Sequence, residues 1–216
     1  MDRILSKTGA AREKFFDDNG ELLRELAELG QFPSALLIGC SDSRVVPEQL
    51  LGAKAGDFFM LRNIANLVPP YWQTDVGFAS VLEFAVLDLE IPDIIVCGHT
   101  DCGGINALDG AVDMSSRPAL SRWLDLARPA QREVDGFGTG EKAADSRADG
   151  QTERHRAIVE RNVVNQLRNL ESYPFIRERL GVGKLALHGW VYYLEEPEVG
   201  YYDGERGGFV GGGNNE

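Results

Sequence analysis

The chain has 216 residues, a formal net charge of −12 and a hydrophobic fraction of 43%. That length suits one domain with a substantial core, and the acidic balance argues against a nucleic-acid backbone or an anionic membrane as partner. No stretch approaches the roughly 20 apolar residues of a membrane span. The N-terminus, Met1 to Ala10, lacks the continuous apolar run of a secretory signal. Three cysteines, an odd count, give no disulfide framework, and reduced thiols point to the cytoplasm.

In chain order, residues 3–29 read as helix. Leu22, Leu23, Leu26 and Leu29 recur at helical spacing, Gly30 stops the run, and Gly20 is expected to interrupt it. Residues 35–39 are apolar without alternation, the pattern of a strand buried on both faces of a parallel sheet. Asp57–Leu61 reads as a second, short strand. Residues 75–90 form a helix, capped by Thr74 or Asp75, that is apolar nearly all round and so deeply buried or at an interface. Pro92 ends it, and Asp93–Cys97 is a third strand. Gly103 and Gly104 then turn the chain into a helix around Ile105–Leu108. Residues 119–134 are expected to be helical with a break or bend at Pro129. Residues 135–152 read as a mobile loop, and residues 153–171 as a helix with an apolar stripe that includes Ile158, Val163 and Leu167. Lys184–His188 and Val191–Leu194 read as strand, with Val199–Tyr202 closing a hairpin. The tail from Gly207 to Glu216 is too glycine-rich to hold structure unaided. Strand, crossover helix and strand in this order predict an α/β fold: a central, mainly parallel sheet flanked by helices, with an N-terminal helical arm. The expected division is an arm over residues 1–34, an α/β domain over 35–203 and a flexible tail over 204–216.

The chemistry gathers where two of these strands end. Cys40-Ser-Asp-Ser-Arg44 follows Leu36-Leu37-Ile38, and His99-Thr-Asp-Cys102 follows Ile94-Ile95-Val96. Open α/β sheets place ligands at that end of their strands. Taken singly, a cysteine closing an apolar strand is most often a small buried hydrophobe, and a lone histidine a core residue. Together Cys40, His99 and Cys102 form a Cys2His set. Such a set holds zinc, and with three protein ligands it leaves one tetrahedral position for water or substrate. One Zn2+ per chain is expected. Asp42 is close enough to reach the same ion. Arg44 would hold it ionised and aimed away from the metal by a charge-assisted bond, so that Asp42 accepts the proton of a metal-bound oxygen. Breaking that pair would let Asp42 swing onto the metal. Asp101, inside the His99–Cys102 turn, is either a fifth ligand or a turn-forming side chain bonding backbone amides, and the second is the commoner use. Cys97 reads as structural, and His155 and His188 stand outside the constellation.

These blocks carry a resemblance. Cys-x-Asp-x-Arg followed by His-x-x-Cys, the stretch Gly56–Pro70, Gly98-His-Thr-Asp-Cys-Gly-Gly104 and Leu187-His-Gly-Trp-Val191 occur in the order seen in the β-class carbonic anhydrases. The similarity, which resembles the plant-like branch in particular, covers roughly Ala35–Leu108 and Asn162–Tyr193. It implies reversible hydration of CO2 to bicarbonate and a proton by zinc-bound hydroxide, with Asp42 and Arg44 as the catalytic pair. It also implies substrate-binding roles for Gln31, Phe59, Phe84, Gly103 and Gly104. Gln31 would donate across a dimer interface, and Phe59, with Val45 and Phe84, would line an apolar pocket. Phe84 stands where that branch commonly has tyrosine, which removes a hydroxyl. The N–H groups of Gly103 and Gly104 would face a bicarbonate oxygen, although a tight turn also accounts for both. A homodimer or a higher homo-oligomer, tetramer or octamer, is implied, with the N-terminal arm packed across the partner. Two other readings share these residues: a hydrolase of carbonyl sulfide or carbon disulfide, and a non-catalytic structural zinc protein.

Overall fold

Short β-branched runs with no polar alternation can be buried only in the middle of a layered fold, and here they form its central sheet. The computed structural model describes residues 8–110, 115–137, 148–196 and 198–211. Its strands are β1 (Ala35–Cys40), β2 (Phe58–Asn63), β3 (Asp93–His99), β4 (Ala186–Tyr192), β5 (Val199–Asp203) and β6 (Gly208–Gly211). They lie side by side in the order β2-β1-β3-β4-β5-β6. The first four are parallel, and β5 and β6 continue antiparallel. Every residue of β1 and all of β3 after its first are buried. Gly39 pairs with Cys97, so Cys40 and His99 leave the sheet almost level with each other at its C-terminal edge.

The helices are α1 (Gly9–Leu29), α2 (Pro47–Leu50), α3 (Val76–Glu83), α4 (Gly103–Asn106), α5 (Pro118–Leu124), α6 (Arg128–Phe137), α7 (Ala148–Leu170) and α8 (Pro174–Gly181). On one face of the sheet Leu36, Ile38, Ile94 and Val96 pack with Leu82 and Val86 and with Ile158, Val159, Val163 and Leu167 of α7. On the other face Leu37, Ile95 and Cys97 form a smaller buried group with Phe58, Met60 and Trp190. Gly189 of β4 permits the approach of α7: an added Cβ would meet Val163 at 2.9 Å and Leu167 at 3.1 Å. Among the described residues no helix is long and apolar enough to cross a membrane.

Several local expectations are corrected. Gly20 does not interrupt α1. One helical glycine costs only about 1 kcal/mol, and Gly20 is buried beneath the Phe16 ring. Residues 3–7 of the expected helix lie outside the described residues. The 75–90 helix begins as expected, with the Asp75 carboxylate accepting from Phe78 N at 2.9 Å. It then widens into a π-helical turn over Phe84–Asp88, closed by Leu89 N donating to Phe84 O at 2.9 Å. Of the two alternatives, deep burial does not hold in a single chain, where Val76 is 86% exposed and Leu87 51%. The break expected at Pro129 comes earlier, between α5 and α6. Pro129 is the second residue of α6, where its missing N–H forfeits no helical bond. The loop expected over 135–152 is shortened from both sides by α6 and α7, and its residues 138–147 lie outside the described residues. The two expected strands around Gly189 are one strand, β4. The glycine-rich tail is also corrected in part, since Gly208–Gly211 form β6. Phe209 there pairs with Tyr202, their rings 5.6 Å apart, and packs on the core. Residues 212–216 lie outside the described residues.

Arg154 ties α7 to its neighbours, reaching Asp109 at 2.8 Å and Asp135 at 2.7 Å. Its guanidinium holds the Asp109 carboxyl below the usual carboxylate value. A depressed folded-state value stabilises the fold above the unfolded value of about 3.9 and ceases to do so as pH falls through the folded one. Arg154→Ala is therefore expected to lower the urea midpoint near neutrality. The difference from wild type should shrink on acidification below about pH 4, as read by circular dichroism in parallel titrations.

Candidate metal centre

The turn after β3 builds the centre. His99 ends the strand fully buried. Its Nδ1 lies 2.8 Å from the carbonyl oxygen of Thr100. A carbonyl only accepts, so Nδ1 is the donor and Nε2 is the ring nitrogen turned inward. Nε2 is buried and has no hydrogen-bond partner. Thr100 is itself anchored to the sheet: its N–H donates to Tyr192 O at 3.0 Å, and its hydroxyl donates to the Glu195 carboxylate at 3.0 Å. Cys102 then brings its sulfur within 4.0 Å of the Cys40 sulfur from β1. The donor atoms of Cys40, His99 and Cys102 all lie within 4.8 Å of one another, and all three residues are buried. No further histidine, cysteine or carboxylate joins this group among the described residues. The hydrogen bond between the two sulfurs pulls the Cys40 thiol down and, together with burial, pushes the Cys102 thiol up. Cys97, on the opposite face of the sheet, is pushed up to about 12 by burial, as expected for a structural thiol.

Asp42 faces this group without joining it. Arg44 grips both its oxygens, Nε to Oδ1 at 3.0 Å and Nη2 to Oδ2 at 2.8 Å, and Arg44 N adds a bond to Oδ1 at 2.9 Å. These bonds hold the Asp42 carboxyl well below the usual carboxylate range. Its Oδ2 lies 3.9 Å from His99 Nε2. Behind the loop, Arg62 donates to the carbonyls of Cys40, Asp42 and Val45 at 2.9, 2.8 and 2.7 Å, which fixes the backbone that carries both residues.

Of this group Cys40, with the clamped Asp42 carboxylate beside it, opens onto a cavity of about 310 Å³. It is lined by Cys40, Ser41, Asp42, Ile64, Gly103, Gly104, Ala107 and Leu120. The carbonic anhydrase family model matches residues 35–199. The chain belongs to the β-class carbonic anhydrases. It is 37% identical to the carbonic anhydrase of Synechocystis sp. over 212 residues, covering 97% of this chain and 74% of that protein. It is 38% identical to the enzyme of Pseudomonas aeruginosa over 190 residues, covering 88% and 82%. The solved structure of the β-carbonic anhydrase CcaA superposes with a TM-score of 0.86 at 36% identity, covering 97% of this chain and 98% of that one. Two tetrameric β-carbonic anhydrases from Sordaria macrospora are represented by a structure with a TM-score of 0.78 at 31% identity, covering 92% and 94%. The family's reaction, reversible hydration of CO2 to bicarbonate and a proton, is the activity of this chain.

The carbonic anhydrase fold brings together Cys40, His99, Cys102, Asp42, Arg44, Gly103 and Gly104. It does not place Gln31, Phe59, Phe84 or Val45 in the cavity lining. Gln31 is exposed in the loop after α1, and Val45 is buried behind the wall. Phe59 and Phe84 stack with ring centroids 5.9 Å apart, and Phe84 is 44% exposed. In a single chain these aromatic rings form an apolar surface rather than a wall of the site. The residues that do complete the apolar wall, Ile64 and Leu120, were not foreseen. Ile64 adjoins the Arg62-Asn63 block and was legible as a neighbour of the site. Leu120 sits in α5, outside every motif, and carried no sequence signal. Gly104 has a packing role as well as a turn role: an added Cβ would meet Ile64 Cγ2 at 2.9 Å and Ala65 Cβ at 3.0 Å. Gly104→Ala is expected to cost about 1–3 kcal/mol of stability through overpacking and to lower activity by shifting the cavity wall. Thermal unfolding and hydration rates measured on the same sample check both effects.

Proposed function

We propose that this carbonic anhydrase works with one zinc ion per chain, held by Cys40, His99 and Cys102. The donor set fits the metal. Zinc–sulfur bonds of about 2.3 Å in a tetrahedron place two thiolates roughly 3.8 Å apart, close to the 4.0 Å found here. The orphaned, inward-facing Nε2 of His99 supplies the third donor. Bound at such a site, the ion lowers the pKa of water so that a nucleophile is available near neutrality.

The protein's own residues determine the rest. The observation that carries the mechanism is the Asp42 carboxylate, clamped by Arg44 and presented 3.9 Å from His99 Nε2. As an ionised acceptor, Asp42 takes a hydrogen bond from the attacking oxygen and so aims its lone pair at the carbon of CO2. The small cavity of apolar side chains and glycine backbone suits a neutral triatomic substrate. Gly103 and Gly104 line the same space, and in this reading their N–H groups meet a bicarbonate oxygen. Stopped-flow hydration of CO2 with metal content determined on the same sample tests this reading. Full zinc occupancy without hydration would overturn it.

We also propose that the enzyme is a homo-oligomer in which a second copy completes the site. The support is the apolar surface that one chain leaves open: Phe32 is 80% exposed, Trp72 74%, Val76 86% and Phe84 44%. Large exposed apolar side chains are common at surfaces that a partner chain covers. Gln31 and the Phe59–Phe84 pair would then meet the substrate only in the assembly. Light scattering is expected to give at least twice the chain mass of 23.7 kDa, and a monomer at micromolar concentration would refute the reading. The unpaired cysteines support a cytoplasmic location.

A further inference from the structure

We infer that Asp101 is a positioning residue for catalysis, one that holds Arg44 so that Arg44 can hold Asp42. The inference rests on the carbonic anhydrase reading above and extends it to a residue outside the ligands and the Asp42–Arg44 pair. Arg44 lies on the rim with its side chain 48% exposed. A guanidinium so exposed, paired with a single carboxylate, gains little from the pair and is poorly held. Here it is gripped from two sides. Nη1 donates to Asp101 Oδ2 at 2.7 Å, and Nη2 donates to the Asp101 backbone oxygen at 2.9 Å. On the opposite side, Nε and Nη2 serve Asp42. Four of the five guanidinium N–H donors are therefore engaged in one plane strung between two carboxylates.

Asp101 is itself fixed. Its φ of 51° lies in the left-handed region, which aspartate tolerates better than most residues. Asn106 Nδ2 donates to its Oδ1 at 3.2 Å, so that Oδ2 is left facing Arg44. The tight turn that sets His99 and Cys102 around one point thus also aims a carboxylate outward at Arg44. The turn that carries two of the three donors is thereby joined to the loop that carries Cys40 and Asp42. Asp101 touches neither substrate nor the reacting atoms, and it acts through Arg44.

The test compares Asp101→Gly, Asp101→Asn and Arg44→Ala. Glycine adopts the left-handed φ freely, so Asp101→Gly removes the carboxylate and keeps the backbone acceptor. Asparagine keeps an acceptor oxygen for Nη1. Asp101→Gly is expected to lower kcat/KM for CO2 hydration roughly tenfold, as for other outer-shell partners, with zinc content and thermal midpoint at wild-type values. Asp101→Asn should restore most of the loss, and Asp101→Gly should cost nothing further in an Arg44→Ala background. A second readout is independent of activity: hydrogen exchange at the Arg44 Nε–H, followed by NMR, should be slow in wild type and Asp101→Asn and fast in Asp101→Gly. Unchanged kcat/KM with unchanged exchange, a loss that repeats in full on Arg44→Ala, or a loss that tracks missing zinc would overturn the inference. A wild-type protein inactive in the same assay would instead sink the carbonic anhydrase reading. The exchange measurement would still decide whether Asp101 holds Arg44.

Discussion

Cys40→Ser is expected to abolish CO2 hydration and zinc retention while leaving the fold intact. Serine differs from cysteine by one atom, so the packing around the buried end of β1 is nearly preserved. What is lost is the thiolate. A neutral hydroxyl is a poor partner for zinc beside Cys102 and His99, and two ligands do not hold the ion against a chelator. After dialysis against a chelator the variant should contain no zinc and hydrate CO2 no faster than buffer. A folding readout separates this from simple damage. A ligand that binds only the folded state stabilises it by RT ln(1 + [L]/Kd), about 4.1 kcal/mol at a thousandfold excess over Kd. Added zinc should therefore raise the unfolding midpoint of the metal-depleted wild type and leave that of Cys40→Ser unmoved. A Cys40→Ser protein that keeps zinc and activity would remove Cys40 from the metal set.

The second large effect concerns the pair beside the metal. Asp42→Asn should keep zinc and lose roughly 10²–10³ in kcat/KM, the scale of removing one preorganised electrostatic contact to a transition state. The amide can turn an N–H toward the attacking oxygen, so the variant loses the obligate acceptor as well as the charge. Arg44→Ala should lose a similar amount. The double variant should be little worse than either single one, because the two side chains act as one unit. The pH dependence follows from the sign of the shift. With its folded-state value held below the usual range, Asp42 stays ionised at and above the unfolded value of about 3.9. Its contribution is lost only as pH falls through the lower folded value. A fall in kcat/KM between pH 8 and pH 6 should therefore persist in shape when Asp42→Asn is compared with wild type. An acid limb in that range present only in wild type would count against this assignment.

Much of the architecture was legible before any coordinates. The unalternating runs ending at Cys40 and before His99 announced buried parallel strands, because a strand covered on both faces has no polar side to show. Asp75 announced the start of α3 for an equally local reason, a side chain that caps an orphaned N–H. The failures were tertiary. Gly20 was read as a break because a glycine is a weak helix former, but packing against Phe16 outweighs that small penalty. Gly208–Gly211 was read as structureless because glycine resists order, but pairing with β5 and burial of Phe209 supply the missing stabilisation. Phe59 and Phe84 are paired by the fold outside the single-chain cavity lining, a placement no local pattern encodes.

The candidate site divides in the same way. Sequence alone determined the donor types, their place at the ends of two adjacent strands, and the carboxylate–guanidinium pair two residues apart. These are consequences of local order along the chain, and strand ends and short spacings survive any arrangement of the rest. Only the tertiary structure decided that Ile64 and Leu120 close the cavity, that His99 turns Nε2 inward, and that Asp101 reaches Arg44 rather than the metal. Arg44 and Asp101 are 57 residues apart in the chain. Their contact exists because the register of β1 against β3 levels the two loops and a left-handed backbone at Asp101 points its carboxylate across the gap. Such contacts depend on distances between elements, which no local pattern of residues encodes.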